Sequence, residues 1–346
     1  MRRTILLSLL SVLLAFALPV LLSPGGQAET EEAPEEAPGG ETAPAAAAAR
    51  SSGPALPHFS ADADTPLTLH TAAGDVETTM ADYLPFALAG EMPASFAPEA
   101  LKAQAVALRT YALFYRENRK DAHPEADVCD SPGCCAACAD AGTLRERWGA
   151  QYEENLARLT AAVEDTDGQY LSWEGAPIFA VFHASSQGVT EAGAALGVDR
   201  PYLVSVGTPE TADTVDSLVT TAEVSAENFR TTVLTACPDA ALDPAAPETW
   251  VESVSLNAAG RVAQVRVGGV TVSGLAMRQM FSLRSTDFTL GWDGDGQRFL
   301  FRVRGYGHGV GMSQHGADLS ARAGESYAEI LAHYYPGAVL SGVPAT

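Results

Sequence analysis

Behind Arg2 and Arg3 the chain carries no charge from Ile5 to Leu22, and nearly every residue there is apolar. A charged start followed by an apolar core has the character of an export signal. The run is also just long enough to cross a bilayer, which takes about 20 residues. Residues 1–28 are therefore expected to be a signal peptide or, the better fit to this length, an uncleaved membrane anchor. Either way the rest of the chain is expected to work outside the cytoplasm, anchored to the cell membrane or, if the segment is cleaved, secreted. From Glu29 to Pro57 the residues are mainly Glu, Pro, Ala, Gly and Ser. Such a stretch cannot bury enough apolar surface to offset the entropy of ordering it, so it reads as a tether. Only 58–346 is left to fold.

The net charge of −22 comes from 43 acidic against 21 basic side chains. Six of those acids (Glu29, Glu31, Glu32, Glu35, Glu36 and Glu41) lie in the tether. Binding to a phosphate backbone needs clustered Lys and Arg, so nucleic acid is excluded as a partner. An apolar fraction of 47% supplies ample material for a core in the remainder.

Pro98 suits a first helical position, and Leu101, Ala105, Leu108 and Ala112 follow at helical spacing. Lys102 and Arg109 fall on another side of this helix, expected to face solvent or a ligand. Gln169–Trp173 and 178–183 read as strands. A hairpin should join Val254 and Leu256 through Asn257–Gly260 to Val262, Val265 and Val267. Ser326 and Glu329 form a capping box that opens a last helix, stopped by Pro336-Gly337. The expectation is an α+β fold: one mixed α/β domain with two lobes and a central cleft, behind a signal-anchor helix, with residues from about 209 to 300 as a strand-rich second lobe.

Four of five cysteines crowd into 129–138, with His123 just before them, giving His-x5-Cys-x4-Cys-Cys. Disulfides are the default outside the cell. A bridge between the adjacent Cys134 and Cys135 would be strained, whereas thiolates with one imidazole suit tetrahedral Zn²⁺. The spacing matches neither of the standard paired patterns, so both explanations stay open. Cys237, far from the others, reads as a small buried side chain.

Three stretches carry a resemblance: Tyr83-Leu-Pro-Phe-Ala-Leu-Ala-Gly-Glu-Met-Pro93, Glu99-Ala-Leu-Lys-Ala-Gln-Ala-Val-Ala-Leu-Arg-Thr-Tyr111 and Gly307-His-Gly-Val-Gly-Met-Ser-Gln314. Together with Val272-Ser-Gly274 and Leu283-Arg-Ser285, the chain from about Ala81 to Leu340 resembles the stage II sporulation protein D family. The resemblance implies a catalytic domain over 58–346. Its activity would be that of a lytic transglycosylase cutting peptide-free peptidoglycan strands during forespore engulfment, beside a peptide-stripping amidase and other engulfment proteins. It also implies Glu91 as the catalytic glutamate and Arg109 as an arginine needed for activity. Zinc would be held by His123, Cys129, Cys134 and Cys135, with Cys134 where a second His is often found. Phe96, His315 and Gln187 depart from the family pattern, in place of a frequent Trp, Tyr and Gly.

Ordinary glycosidases need two carboxylates. A lytic cleavage uses the muramic acid's own C6 hydroxyl as nucleophile, so one Glu can act first as acid and then as base. That requires a raised Glu91 pKa, for which Leu88 and Met92 are suitable apolar neighbours. Arg109, and with it Lys102, is then expected to hold the lactyl carboxylate of bare muramic acid. Ser185, Ser186, His308, Ser313 and Gln314 are further candidates for substrate binding, and His183 is read as a satisfied structural histidine. Two rivals stand beside this: a non-catalytic peptidoglycan-binding amidase enhancer, and a zinc hydrolase using His308 and His315. The second lacks the His-Glu-x-x-His geometry.

Overall fold

The computed structural model describes residues 61–342, and the expected leader (1–28) and tether (29–57) lie outside that range. No helix of the described residues is long and apolar enough to cross a membrane.

The described chain opens with a hairpin, β1 (Pro66–Thr71) and β2 (Gly74–Thr79), that runs straight into α1 (Met80–Glu91). Thr79 switches strand to helix because its hydroxyl accepts the Asp82 N–H. Helix α2 (Pro98–Glu117) starts at the proline, as its fixed φ favours, and buries every residue from Ala103 to Ala112. The short β3 (Val128–Cys129) pairs in parallel with β1, and α3 (Ala141–Trp148) and α4 (Tyr152–Glu164) follow. Next come β4 (Gln169–Trp173), β5 (Ala176–Pro177) and β6 (Phe182–His183).

A second group of elements begins at β7 (Val219–Ser225) and α5 (Ala226–Ala236). It continues through β8 (Val251–Leu256), β9 (Val262–Val267), β10 (Val270–Ser273) and α6 (Gly274–Met280), then β11 (Phe288–Asp293) and β12 (Arg298–Arg304). The chain then returns to the first group with β13 (Met312–Ser313), α7 (Gln314–Arg322), α8 (Tyr327–Tyr334) and β14 (Val339–Gly342). Helices and sheets mix as an α+β fold.

The expected hairpin is β8–β9: Gly260 takes a positive φ of 76°, and the Asn257 side chain accepts the N–H groups of Ala259 and Arg261 to close the turn. The capping box at Ser326 is present as expected. The strand expected over 178–183 shrinks to Phe182–His183, because Ala180 and Val181 donate to carbonyls only two residues back, at Ile178 and Phe179. That local coiling leaves no ladder to extend.

Buried apolar side chains form two clusters. One gathers α1, α2, α4, α8 and the strands around them. The other runs from Phe229 to Val303, with Phe229 stacked on Phe299 at 3.9 Å and on Phe281 at 4.9 Å. Sheets β11-β12-β7 and β10-β9-β8 supply its strands. Helix α2 packs against α1, α4, α7, α8 and β4, so it has no broad solvated face. This overturns the expectation of an exposed cation for Arg109, whereas Lys102 stays partly exposed in ion pairs with Glu99 and Asp165. Arg109 is fully buried, and its guanidinium grips Asp62 through two bonds of 2.7 and 2.6 Å while donating to the Gln169 carbonyl at 2.9 Å.

Candidate active site

Glu91 ends α1, and the residue before it explains where the side chain goes. A Cβ at Gly90 would lie 2.6 Å from the Ala137 carbonyl oxygen, so only glycine lets the 137 segment approach this closely. That approach brings the Ala137 N–H to Glu91 Oε1 at 2.5 Å, while the Gln314 amide donates to Oε2 at 3.4 Å. Burial raises the Glu91 pKa from 4.5 to about 7, against the lowering effect of those two donors. Leu88 and Met92, expected as its apolar neighbours, are both buried in the same cluster.

The carboxylate opens into a cavity of about 970 Å³. Phe96, Tyr111, Tyr115, Phe179, Phe182 and Tyr306 give it aromatic walls, and Lys120 and Arg278 are its cations. Glu91 is the one acidic residue among the described residues that line it. Lys120 is engaged locally: it sits 4.3 Å over the Tyr115 ring and donates to the Tyr111 hydroxyl and the Cys134 carbonyl. Arg278 donates Nε to the Leu283 carbonyl at 3.2 Å. It forms no ion pair with a carboxylate among the described residues, and burial lowers its pKa. Sequence reasoning missed this arginine, since one cation on a short helix looks like any solvated face.

His308 lines the cavity as expected, but its Nδ1 accepts the Val310 N–H at 3.1 Å. Burial, helped by Arg278, pushes its pKa down to about 4, so it is neutral and unsuited to donate a proton at neutral pH. His183 also borders the cavity, bonded to the Val310 carbonyl and the Ser186 hydroxyl. Phe96 and His315, two of the departures from the family pattern, pack edge to face on the wall at 5.1 Å. The third, Gln187, does not line it.

The remaining candidates need correction. Arg109 cannot reach a ligand, because its donors are spent inside the protein on Asp62, Val163 and Gln169. Lys102 pairs with Glu99 at 3.0 Å and Asp165 at 2.9 Å, away from the cavity. Ser186 is fully buried and takes a 2.8 Å bond from Arg261, and Ser185 is tied by its backbone to Tyr306. The fully buried Ser313 hydroxyl caps α7 and donates to Glu210. These three serines build the wall from behind.

His123, Cys129, Cys134 and Cys135 converge, with their ligand atoms within 4.8 Å of one another. The donors fit Zn²⁺: three soft thiols and an imidazole whose Nδ1 is turned to the Ala126 carbonyl at 3.2 Å, leaving Nε2 facing Cys135 Sγ at 3.3 Å. Cys138 is outside this set, and Cys237 is half-buried against the second cluster. The loop lies against the cavity, since Cys134 and Cys135 line it and Ala137 holds Glu91.

Residues 73–173 match the family model described as SpoIID, stage II sporulation protein. The chain is 31% identical over 338 residues to the stage II sporulation protein D of Bacillus amyloliquefaciens, covering 97% of this chain and 94% of that protein. It is 32% identical over 278 residues to that of Bacillus subtilis strain 168, covering 80% and 78%. An amidase enhancer of the same strain is 26% identical over 301 residues, which span 72% of this chain and 39% of that protein.

Proposed function

The chain belongs to the stage II sporulation protein D family, and on that premise we propose that it is an extracytoplasmic lytic transglycosylase that cuts peptide-free peptidoglycan strands during sporulation. The observation that carries this reading is the single carboxylate in an aromatic cavity, with a pKa of about 7. Hydrolysis with two carboxylates would need a second acid, and the described lining carries only Glu91, whereas an internal attack needs only one.

Glu91 begins protonated and gives its proton to the glycosidic oxygen as the C1–O bond breaks. The resulting carboxylate then removes the proton of the C6 hydroxyl as O6 bonds to C1, leaving a 1,6-anhydro end. Ala137 N–H and the Gln314 amide fix the carboxylate's direction and stabilise its charged stage. Arg278 takes the role first assigned to Arg109: with no carboxylate partner among the described residues, it suits the lactyl anion of bare muramic acid. A zinc ion on His123, Cys129, Cys134 and Cys135 would clamp the loop that carries Ala137, since four protein ligands leave no open position for chemistry.

In this reading residues 1–28 attach the protein to the membrane, and a peptide-stripping amidase supplies its substrate. Mass spectrometry of products from peptide-free strands tests it. Anhydro-muramyl ends support it, reducing ends indicate hydrolysis, and uncut strands that still bind favour the amidase-enhancer reading that the 26% relative suggests.

A further inference from the structure

Glu91, Gly90 and Pro93 line a second cavity as well as the first. This one, of about 480 Å³, lies between the end of α1 with residues 92–95 and the junction of α3 and α4. Its far wall carries Arg147, Trp148, Gln151 and Asn155. The junction presents them because α3 stops at Gly149, whose φ of 53° breaks the helix, and α4 restarts at Tyr152. Trp148 is half-buried and braced by the Tyr152 ring at 6.2 Å, which Arg145 stacks on at 4.6 Å. Arg147 is exposed and has no ion-pair partner among the described residues.

A proton donor that cuts a bond between two sugars must have sugar on both sides of it. Glu91 borders both cavities and is the one acid lining each among the described residues. The second cavity falls within the roughly 300–1,000 Å³ typical of ligand pockets. Its side chains are those an amino-sugar strand calls for: an indole for the apolar face of a ring, two amides for hydroxyl and N-acetyl groups, and a guanidinium for a lactyl carboxylate.

We propose that the Trp148 cavity is a second glycan subsite, so that the strand crosses Glu91 from one cavity to the other and is cut internally. This rests on the reading above that the protein acts on glycan strands. The probe is a fluorescently labelled peptide-free glycan strand, titrated into full-length Glu91→Gln so that binding is read without cleavage. Adding Trp148→Ala should weaken binding about tenfold, equivalent to about 1.4 kcal/mol. Trp148→Phe should restore most of it, and Arg147→Ala, at an exposed position, should weaken binding severalfold with no change in melting temperature. Unchanged affinity in both Trp148→Ala and Arg147→Ala overturns the subsite while leaving the proposed function intact. No binding by Glu91→Gln alone overturns the glycan reading itself and the subsite with it.

Discussion

Glu91 and Arg109 show that burial acts on a charged residue in opposite ways, according to whether a counter-charge is buried with it. Desolvation makes Glu91 an acid near neutrality, so cleavage should fall as pH rises through about 7 and the proton is lost. Glu91→Gln should release anhydro ends at a rate lower by roughly 10²–10⁴-fold. The same change should stabilise the fold at high pH. Below pH 4.5 the glutamate is protonated whether folded or not, but above about 7 the native state must hold a desolvated charge that glutamine removes. The advantage should grow between those values to on the order of 3 kcal/mol or less, read from urea midpoints across the pH series. Arg109 is the opposite case. Arg109→Ala strands Asp62 in the interior and should cost about 3–5 kcal/mol of stability, seen as a large drop in melting temperature. Arg278→Ala should instead leave melting nearly unchanged and abolish the preference for peptide-free strands over intact peptidoglycan, measured by kcat/KM on each.

Among the elements, the loop from His123 to Ala137 joins a His/Cys cluster that could hold a metal ion to the Glu91 carboxylate by a few residues of backbone. Cys129→Ser should therefore do two things. It should remove about one Zn²⁺ per chain by elemental analysis and lower the melting temperature. It should also reduce turnover, because an untethered Ala137 N–H no longer fixes Glu91. Full zinc retention, or a fully active metal-free variant, would count against that coupling. Gly90→Ala probes the same contact from the helix side: the new methyl meets the Ala137 carbonyl, and either α1 or the loop must move.

At the scale of the whole molecule, two apolar clusters are bridged by a polar seam. Arg261, from the turn between β8 and β9, lies 3.6 Å from Glu191 and donates to Ser186, while Asn257 donates to Glu191 at 2.7 Å. The seam passes behind Gly309, where a Cβ would sit 2.7 Å from the Arg261 guanidinium carbon. Arg261→Ala leaves Glu191 buried and without its cation, so it should cost about 3–5 kcal/mol. Because His308 and Arg278 line the cavity together with residues of the first cluster, cleavage should fall with stability. Thermal melts and strand assays on one preparation check both.

Local chemistry was legible in the sequence by itself. Pro98 starting a helix, Asn257–Gly260 closing a hairpin and Ser326 with Glu329 capping α8 all depend on neighbours within a few residues. The spacing in the 123–138 loop left zinc and disulfides both open, and it was the family resemblance that singled out His123, Cys129, Cys134 and Cys135, whose ligand atoms the fold brings together. What lies across the chain was not legible. Asp62 reaches Arg109 over 47 residues, and Gln314 reaches Glu91 over 223. Only tertiary packing decides which side of a helix is covered. That packing withdrew Arg109, Lys102 and three serines from the cavity and turned Arg278 towards it.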